Sequence, residues 1–172
     1  LAEETTEAPG ALWKRDQIEK LRVSEAPANL TKAGVGVDPP GGATECGIIA
    51  AGVAVCSCKG KGREEEHAFV LEDNSKKAPP AEWAAIVVDT YDRIQADRIV
   101  GESNFGGDMV ESNIKTVDKE VSYVSVHASR GKAVRAEPVA ALYEQGKVHH
   151  VGKQDLLEDE QCGWEPGMAK SP

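Results

Sequence analysis

Long apolar runs and targeting signals are missing from this sequence of 172 residues. No run approaches the roughly 18 apolar residues that a membrane-spanning helix needs, which argues against a membrane protein. The first ten residues, LAEETTEAPG, lack the basic flank and the apolar centre of a signal peptide. Because the first residue is Leu rather than Met, we expect a fragment of a longer chain.

Positive charge is also scarce. The chain has 20 Lys and Arg against 29 Asp and Glu, and its net charge is -9. This balance argues against non-specific nucleic-acid binding, since contacts to phosphates need Lys and Arg. One segment differs, because HASRGKAVR carries Arg130, Lys132 and Arg135 without an acidic residue. A local basic surface is compatible with a negative net charge.

The four cysteines do not follow a zinc-binding pattern. Cys56 and Cys58 form C-x-C rather than C-x-x-C, and Cys46 and Cys162 do not supply a second pair at zinc spacing. Disulfides are rare in a reducing cytosol. We therefore expect free thiols, with a metal site or a disulfide as the alternative.

The order of secondary structure predicts one α/β domain behind a short arm. Residues 1–30 contain one short amphipathic helix and are typical of a connecting arm outside the core. Residues 31–172 then show three strands joined by short turns, followed by helix, strand, helix, strand and helix. Strands four and five are each reached through a helix, which favours parallel pairing. The sequence predicts a mixed five-stranded sheet in the order 3-2-1-4-5, flanked by helices.

Two acidic residues close predicted strands of this sheet. Asp38 ends the first strand before PPGG, and Glu102 ends the fourth strand in RIVGES. Sites in such sheets form at the carboxyl ends of parallel strands, and neighbouring carboxylates repel unless a charge neutralises them. Oxygen ligands suit Mg²⁺ or Mn²⁺. The sequence predicts a metal site here, and the alternative is an Asp that initiates a turn.

Histidines and acids elsewhere have simpler interpretations. Residues 63–67, REEEH, are typical of an exposed turn. In GKVHHVG, we expect a short edge strand that turns one of His149 and His150 inward and the other outward. Metal binding by these histidines is the less favoured alternative.

Four stretches carry a resemblance to a known family: VGVDPPGG, ADRIVGESNFGGDMVES, VHASRGKAVRAEPVAALYEQGKVHHVG and LEDEQCGW. Together they resemble the C-terminal nuclease domain of the large terminase subunit of tailed phages, prophages and gene transfer agents. The similarity covers about residues 8 to 172. It implies an RNase H/RuvC-like fold and a two-metal endonuclease that uses Mg²⁺ or Mn²⁺. Such an enzyme cuts double-stranded concatemeric DNA during genome packaging.

The resemblance also implies which residues hold the metal ions. Asp38 and Glu102 match the family's first two acids, and Asp108 is an auxiliary ligand or a helix N-terminal acid favoured by the helix dipole. The third acid belongs to a segment similar to SPDRxDAL, which would begin at Ser171 and Pro172. We therefore expect a nuclease domain that is truncated at its C-terminus and has little or no activity in this form.

The resemblance assigns DNA contacts to a group that we call the basic lip: His127, Arg130, Lys132 and Arg135. Asn104 and the glycines after it would allow a close approach to DNA. The alternatives are a solvated loop and a plain strand-to-helix turn.

The implied partners are double-stranded DNA, the portal, the small terminase subunit and an ATPase domain of the same protein. That ATPase domain would precede residues 1–30, since no G-x-x-x-x-G-K-S/T motif occurs in the chain. The implied location is the bacterial host cytoplasm, without a membrane partner. Two other functions stay open, namely a Holliday-junction resolvase and a non-catalytic module that docks DNA or the portal.

Overall fold

The structure is a computed structural model, and it describes residues 7–40, 45–103 and 107–168. The strands within these residues are β1 (Lys32–Asp38), β2 (Gly47–Cys56), β3 (Glu65–Asp73), β4 (Arg98–Glu102), β5 (Tyr123–Val126) and β6 (Val148–His150). The helices are α1 (Arg15–Leu21), α2 (Pro80–Arg93), α3 (Gly107–Val117), α4 (Lys132–Glu144) and α5 (Asp155–Gly163). None of these helices has the length and apolar character needed to span a membrane.

All the strands belong to one mixed sheet, in the order β5-β4-β1-β2-β3-β6. Strand β2 is antiparallel to β1 and β3, whereas β4 is parallel to both β1 and β5. The predicted order 3-2-1-4-5 is therefore confirmed, but the count of five strands is wrong. The short strand β6 pairs in parallel with β3 and extends the sheet at that edge. The short edge strand expected in GKVHHVG is thus confirmed, whereas its pairing with β3 was not predicted.

The main core lies between one face of the sheet and the helices α2 and α3. Val35, Val37 and Ile99 are buried on this face, and they pack in one cluster with Trp83 of α2 and Ile114 of α3. Side chains alternate between the two faces of a strand. Asp38 therefore projects from the face opposite to Val37.

A second core lies at the β6 edge, and it includes the arm. Trp13 and Ile18 are buried there with Tyr143 of α4 and Trp164 after α5. The rings of Trp13 and Tyr143 meet edge to face, with their centroids 6.3 Å apart. Residues of the 1–30 arm thus supply core side chains, and the expectation that the arm lies outside the core is wrong. The role of the arm as a connection to an ATPase domain stays a prediction.

A buried ion pair joins the arm to α5. Glu158 is 1% exposed and accepts hydrogen bonds of 2.7 and 2.9 Å from the two terminal nitrogens of Arg22, which follows α1. The Nδ1 atom of His150 lies 2.9 Å from the same carboxylate. Burial alone would raise the pKa of Glu158, but the hydrogen bonds from His150 and Arg22 outweigh it and lower the pKa to about 2.

We expect Glu158→Gln to destabilise the domain by about 2 kcal/mol at neutral pH, because Arg22 would lose its buried charged partner and keep only the more exposed carboxylate of Glu19. The lowered pKa means that the charged form of Glu158 stabilises the fold above pH 4.5, the ordinary value, and that this contribution is lost as the pH falls towards 2. The difference between parent and variant in urea denaturation should therefore shrink below pH 4.5. Asp155→Asn, an exposed residue of the same helix, is the control. A difference that stays constant with pH would contradict this account.

Candidate active site

The pairing of β1 with β4 places Asp38 beside Glu102. The two strands are parallel, and Val37 aligns with Gly101, so that Asp38 and Glu102 are the next pair in register. Neighbouring strands lie about 4.8 Å apart, and aligned residues of parallel strands point to the same face. The two carboxylates therefore lie at the carboxyl ends of adjacent strands and on the same face of the sheet.

Glycines neighbour both acids at positions where a larger residue would crowd its surroundings. A Cβ atom at Gly101 would lie 2.2 Å from the hydroxyl oxygen of Tyr123, whose ring crosses the strand there. A Cβ atom at Gly47, which pairs with Asp38 across the β1–β2 ladder, would lie 3.3 Å from the Cβ of Asp38. Gly47 thus leaves space beside Asp38, whereas Gly101 admits the Tyr123 ring on the opposite, core-facing side of the sheet.

The charge of Glu102 affects the pKa of Asp38. The protein atoms around the Asp38 carboxyl partly desolvate it and raise its pKa, and the charge of Glu102 raises the pKa further. Lys132 and Arg135 act in the opposite direction. Arg135 also pairs directly with Glu102, with its Nη1 atom 3.4 Å from the Oε2 atom. The cations of α4 thus offset part of the repulsion between the acids.

The basic lip divides into two parts in the structure. Lys132 and Arg135 lie in the first turn of α4 and act on the carboxylates, as described above. His127 and Arg130 are exposed in the segment between β5 and α4. Their contacts with DNA stay predictions.

The remaining candidates do not complete the site within the described part of the chain. Asp108 is exposed in the first turn of α3, and Asn104 lies outside the described residues. Over residues 7–40, 45–103 and 107–168, no third Asp, Glu, His or Cys joins Asp38 and Glu102 in a group that could hold one ion. Asp108 as an auxiliary ligand therefore stays a prediction.

The donor atoms of the pair fit a hard divalent cation. Mg²⁺ is commonly bound through one or two carboxylates, with water or substrate phosphates at the other positions. The face that carries the pair is also open, since Gly36, Val124 and Val126 are exposed on it. A ligand as large as a nucleic acid duplex could reach the carboxylates from this side.

A second group of potential metal ligands was not predicted from the sequence. Cys56, Cys58, His67 and His149 converge at the other end of β2. The prediction of an exposed turn over residues 63–67 is wrong in its last part, because β3 begins at Glu65 and His67 is buried. The expectation that one of His149 and His150 faces outward is also wrong, because both are buried: His150 contacts Tyr143 and Glu158, and His149 contacts the carbonyl oxygen of Leu21. A C-x-C pair at a strand end was the only local indication.

The fold is similar to that of solved phage terminases. The magnesium-bound large terminase nuclease of thermophilic phage G20c aligns over 90% of this chain and 80% of its own, with a TM-score of 0.55 and 13% identity. The ADP-bound large terminase of another thermophilic bacteriophage gives a TM-score of 0.62 at 9% identity, over 88% of this chain and 35% of its own. The large terminase of bacteriophage HK97 gives 0.59 at 11% identity, over 86% of this chain and 35% of its own.

These similarities confirm the predicted RNase H-like fold. The chain spans about a third of the length of the ADP-bound terminase and of the HK97 terminase, as the 35% coverage of each shows. No curated protein sequence matches the chain. The model of one family, described as the terminase RNaseH-like domain, matches residues 35–162. The chain therefore belongs to the terminase RNaseH-like domain family.

Proposed function

We propose that this domain is a metal-dependent endonuclease that cuts double-stranded DNA during viral genome packaging. The observation that carries the proposal is the alignment of Asp38 with Glu102 at the ends of two adjacent parallel strands, beside the cations of α4. Membership of the terminase RNaseH-like family supports a nuclease over other functions of the fold. The negative net charge of the chain is compatible with this function, because the basic residues near the acids are local.

Asp38 and Glu102 would hold Mg²⁺ or Mn²⁺ through their oxygens. When bound, such ions activate a water molecule and stabilise the leaving oxygen of a phosphodiester. The backbone of β1 and β4 fixes both carboxylates, so the two acids need no large rearrangement to bind an ion. In this proposal, Asp108 is an auxiliary ligand, and Asn104 lies close to the DNA.

The basic lip would hold the phosphates of the duplex. His127 and Arg130 are exposed ahead of α4, while Lys132 and Arg135 in its first turn act on the carboxylates. Arg135 is exposed enough to exchange its contact with Glu102 for a phosphate. The lip would thereby direct the scissile phosphate towards Asp38 and Glu102.

The whole protein would place this domain in a packaging motor. An ATPase domain of the same protein would precede the arm, and the portal and the small terminase subunit would be partners. The motor would act in the cytoplasm of a bacterial host. These partners follow from the family resemblance and from the large terminases that share the fold.

We expect Asp38→Asn and Glu102→Gln to reduce DNA cleavage at least about 100-fold, because even the outer partners of metal ligands are often worth 10–100-fold in activity. The assay follows the nicking of supercoiled plasmid with Mn²⁺, with residues 1–172 and with the full gene product. Asp89→Asn, an exposed acid on α2, is the matched control and should cut like the parent. Cleavage by Asp38→Asn at the parent rate would contradict the proposal. DNA binding without any cleavage by the full gene product would favour the docking module.

The raised pKa of Asp38 predicts that this carboxylate costs stability when no metal is bound. The charged form is disfavoured in the fold, so the cost is absent below the ordinary value of 3.8 and appears as the pH rises through the raised pKa. Metal-free Asp38→Asn should therefore melt at a higher temperature than the parent at pH 7, by a small margin because solvent screens this exposed carboxylate. Mn²⁺ should raise the Tm of the parent and leave the variant unchanged. A lower Tm for metal-free Asp38→Asn would contradict this view of the site.

A further inference from the structure

Four side chains with metal-ligating atoms meet at the end of β2 that is far from Asp38. Cys56 ends β2, Cys58 lies in the next turn, His67 belongs to β3 and His149 belongs to β6. One ligand atom from each lies within 4.8 Å of all the others. Asp38 pairs with Gly47 at the start of β2, and nine residues of strand at about 3.3 Å each separate the two sites by roughly 30 Å. We propose that Cys56, Cys58, His67 and His149 bind one Zn²⁺ ion.

The distances between sulfur and nitrogen atoms fit a tetrahedral ion. The Sγ atom of Cys56 lies 3.6 Å from the Nε2 atom of His149, and the Sγ atom of Cys58 lies 3.5 Å from the Nδ1 atom of His67 and 3.8 Å from Nε2 of His149. Zinc binds sulfur at about 2.3 Å and nitrogen at about 2.0–2.1 Å, so two ligands of a tetrahedral site lie about 3.3–3.8 Å apart. The observed distances are in this range.

The hydrogen bonds of the two histidines independently indicate a cation between them. The Nε2 atom of His67 lies 3.3 Å from a carboxylate oxygen of Glu65, and the Nδ1 atom of His149 lies 2.7 Å from the carbonyl oxygen of Leu21. A neutral imidazole that donates to such an acceptor has a lone pair on its other nitrogen. These other nitrogens face each other at 2.8 Å.

Two lone pairs at this distance repel, and a metal ion between the rings would accept both. The nitrogens then need to separate by only about half an ångström to reach the spacing of a tetrahedral zinc site. Each ring already has the outer hydrogen bond that zinc-bound histidines have, one to a carboxylate and one to a backbone carbonyl.

The surroundings hold these ligands in place before an ion binds. His67 and His149 are buried, and their rings lie nearly parallel, at 19°, with centroids 5.1 Å apart. Phe69 also stacks on this group, with its centroid 4.9 Å from that of His149. Glu65, the partner of His67, is itself bound by Lys59 and by Lys147, the latter at 2.9 Å. The two histidine side chains therefore lose little conformational freedom when a metal ion binds.

The donor set selects zinc over the cation expected at Asp38. Two thiolates and two imidazoles suit Zn²⁺, whereas Mg²⁺ and Mn²⁺ prefer oxygen ligands. Binding releases the two thiol protons to solvent, since zinc is held by the thiolate form. Four protein ligands leave no open position, which is the arrangement of a structural rather than a catalytic zinc. The ion would join the β2–β3 hairpin to β6, which has only three residues in the sheet.

The test is a zinc titration of the metal-free chain in an Asp38→Asn, Glu102→Gln background, so that the carboxylate site does not contribute. We expect one Zn²⁺ per chain, measured by competition with a chromophoric chelator, and a Tm that rises by roughly 10 °C at a zinc concentration about 1,000 times the Kd. Co²⁺ in place of zinc should give the visible spectrum of a tetrahedral thiolate site. Cys58→Ser should weaken zinc binding at least about 100-fold, and Glu65→Gln by about 10–100-fold, as for outer partners of other zinc ligands.

Cys162→Ala is the control, because it removes a buried thiol outside the group and should bind zinc like the background chain. Cys58 is exposed in a turn, so its substitution should leave the fold intact, and circular dichroism checks this. Three results would overturn the proposal: no zinc bound by the metal-free chain, equal affinity in Cys58→Ser, or a Cys56–Cys58 disulfide in protein purified without added oxidant.

Discussion

The parallel pairing of β1 with β4 is the constraint on which the candidate active site depends. It aligns Val37 with Gly101, and the next residue of each strand is an acid. A shift of one residue would turn one carboxylate to the other face, into the core against α2 and α3. The hydrophobic pattern that buries Val35 and Ile99 therefore also sets the position of the acids.

Charged residues are paired differently in the two halves of the sheet. At the ends of β1 and β4, two carboxylates lie together on an open face, and partial desolvation together with the charge of Glu102 raises the pKa of Asp38. Near β6, Glu158 is buried but fully paired, and its pKa is lowered to about 2. Functional sites are commonly less stable than the scaffold that carries them. The second core and its ion pair give the domain a stable edge away from the acids.

The sequence was sufficient for the parts of the fold that depend on local patterns. Asp38 and Glu102 end strands that alternation and flanking turns define, and the helices between strands fixed their parallel pairing. Contacts between distant segments could not be predicted in the same way. Glu158 and Arg22 are 136 residues apart, and His67 and His149 are 82 residues apart. The pattern of GKVHHVG predicted a short edge strand, but not that this strand pairs with β3.

The most direct test of the central claim is a crystal structure of the domain with Mn²⁺, located by its anomalous scattering. The account predicts an Mn²⁺ ion at the ends of β1 and β4 that contacts a carboxylate oxygen of Asp38 and one of Glu102. Manganese ions bound only elsewhere, with both carboxylates free of metal contacts, would contradict it.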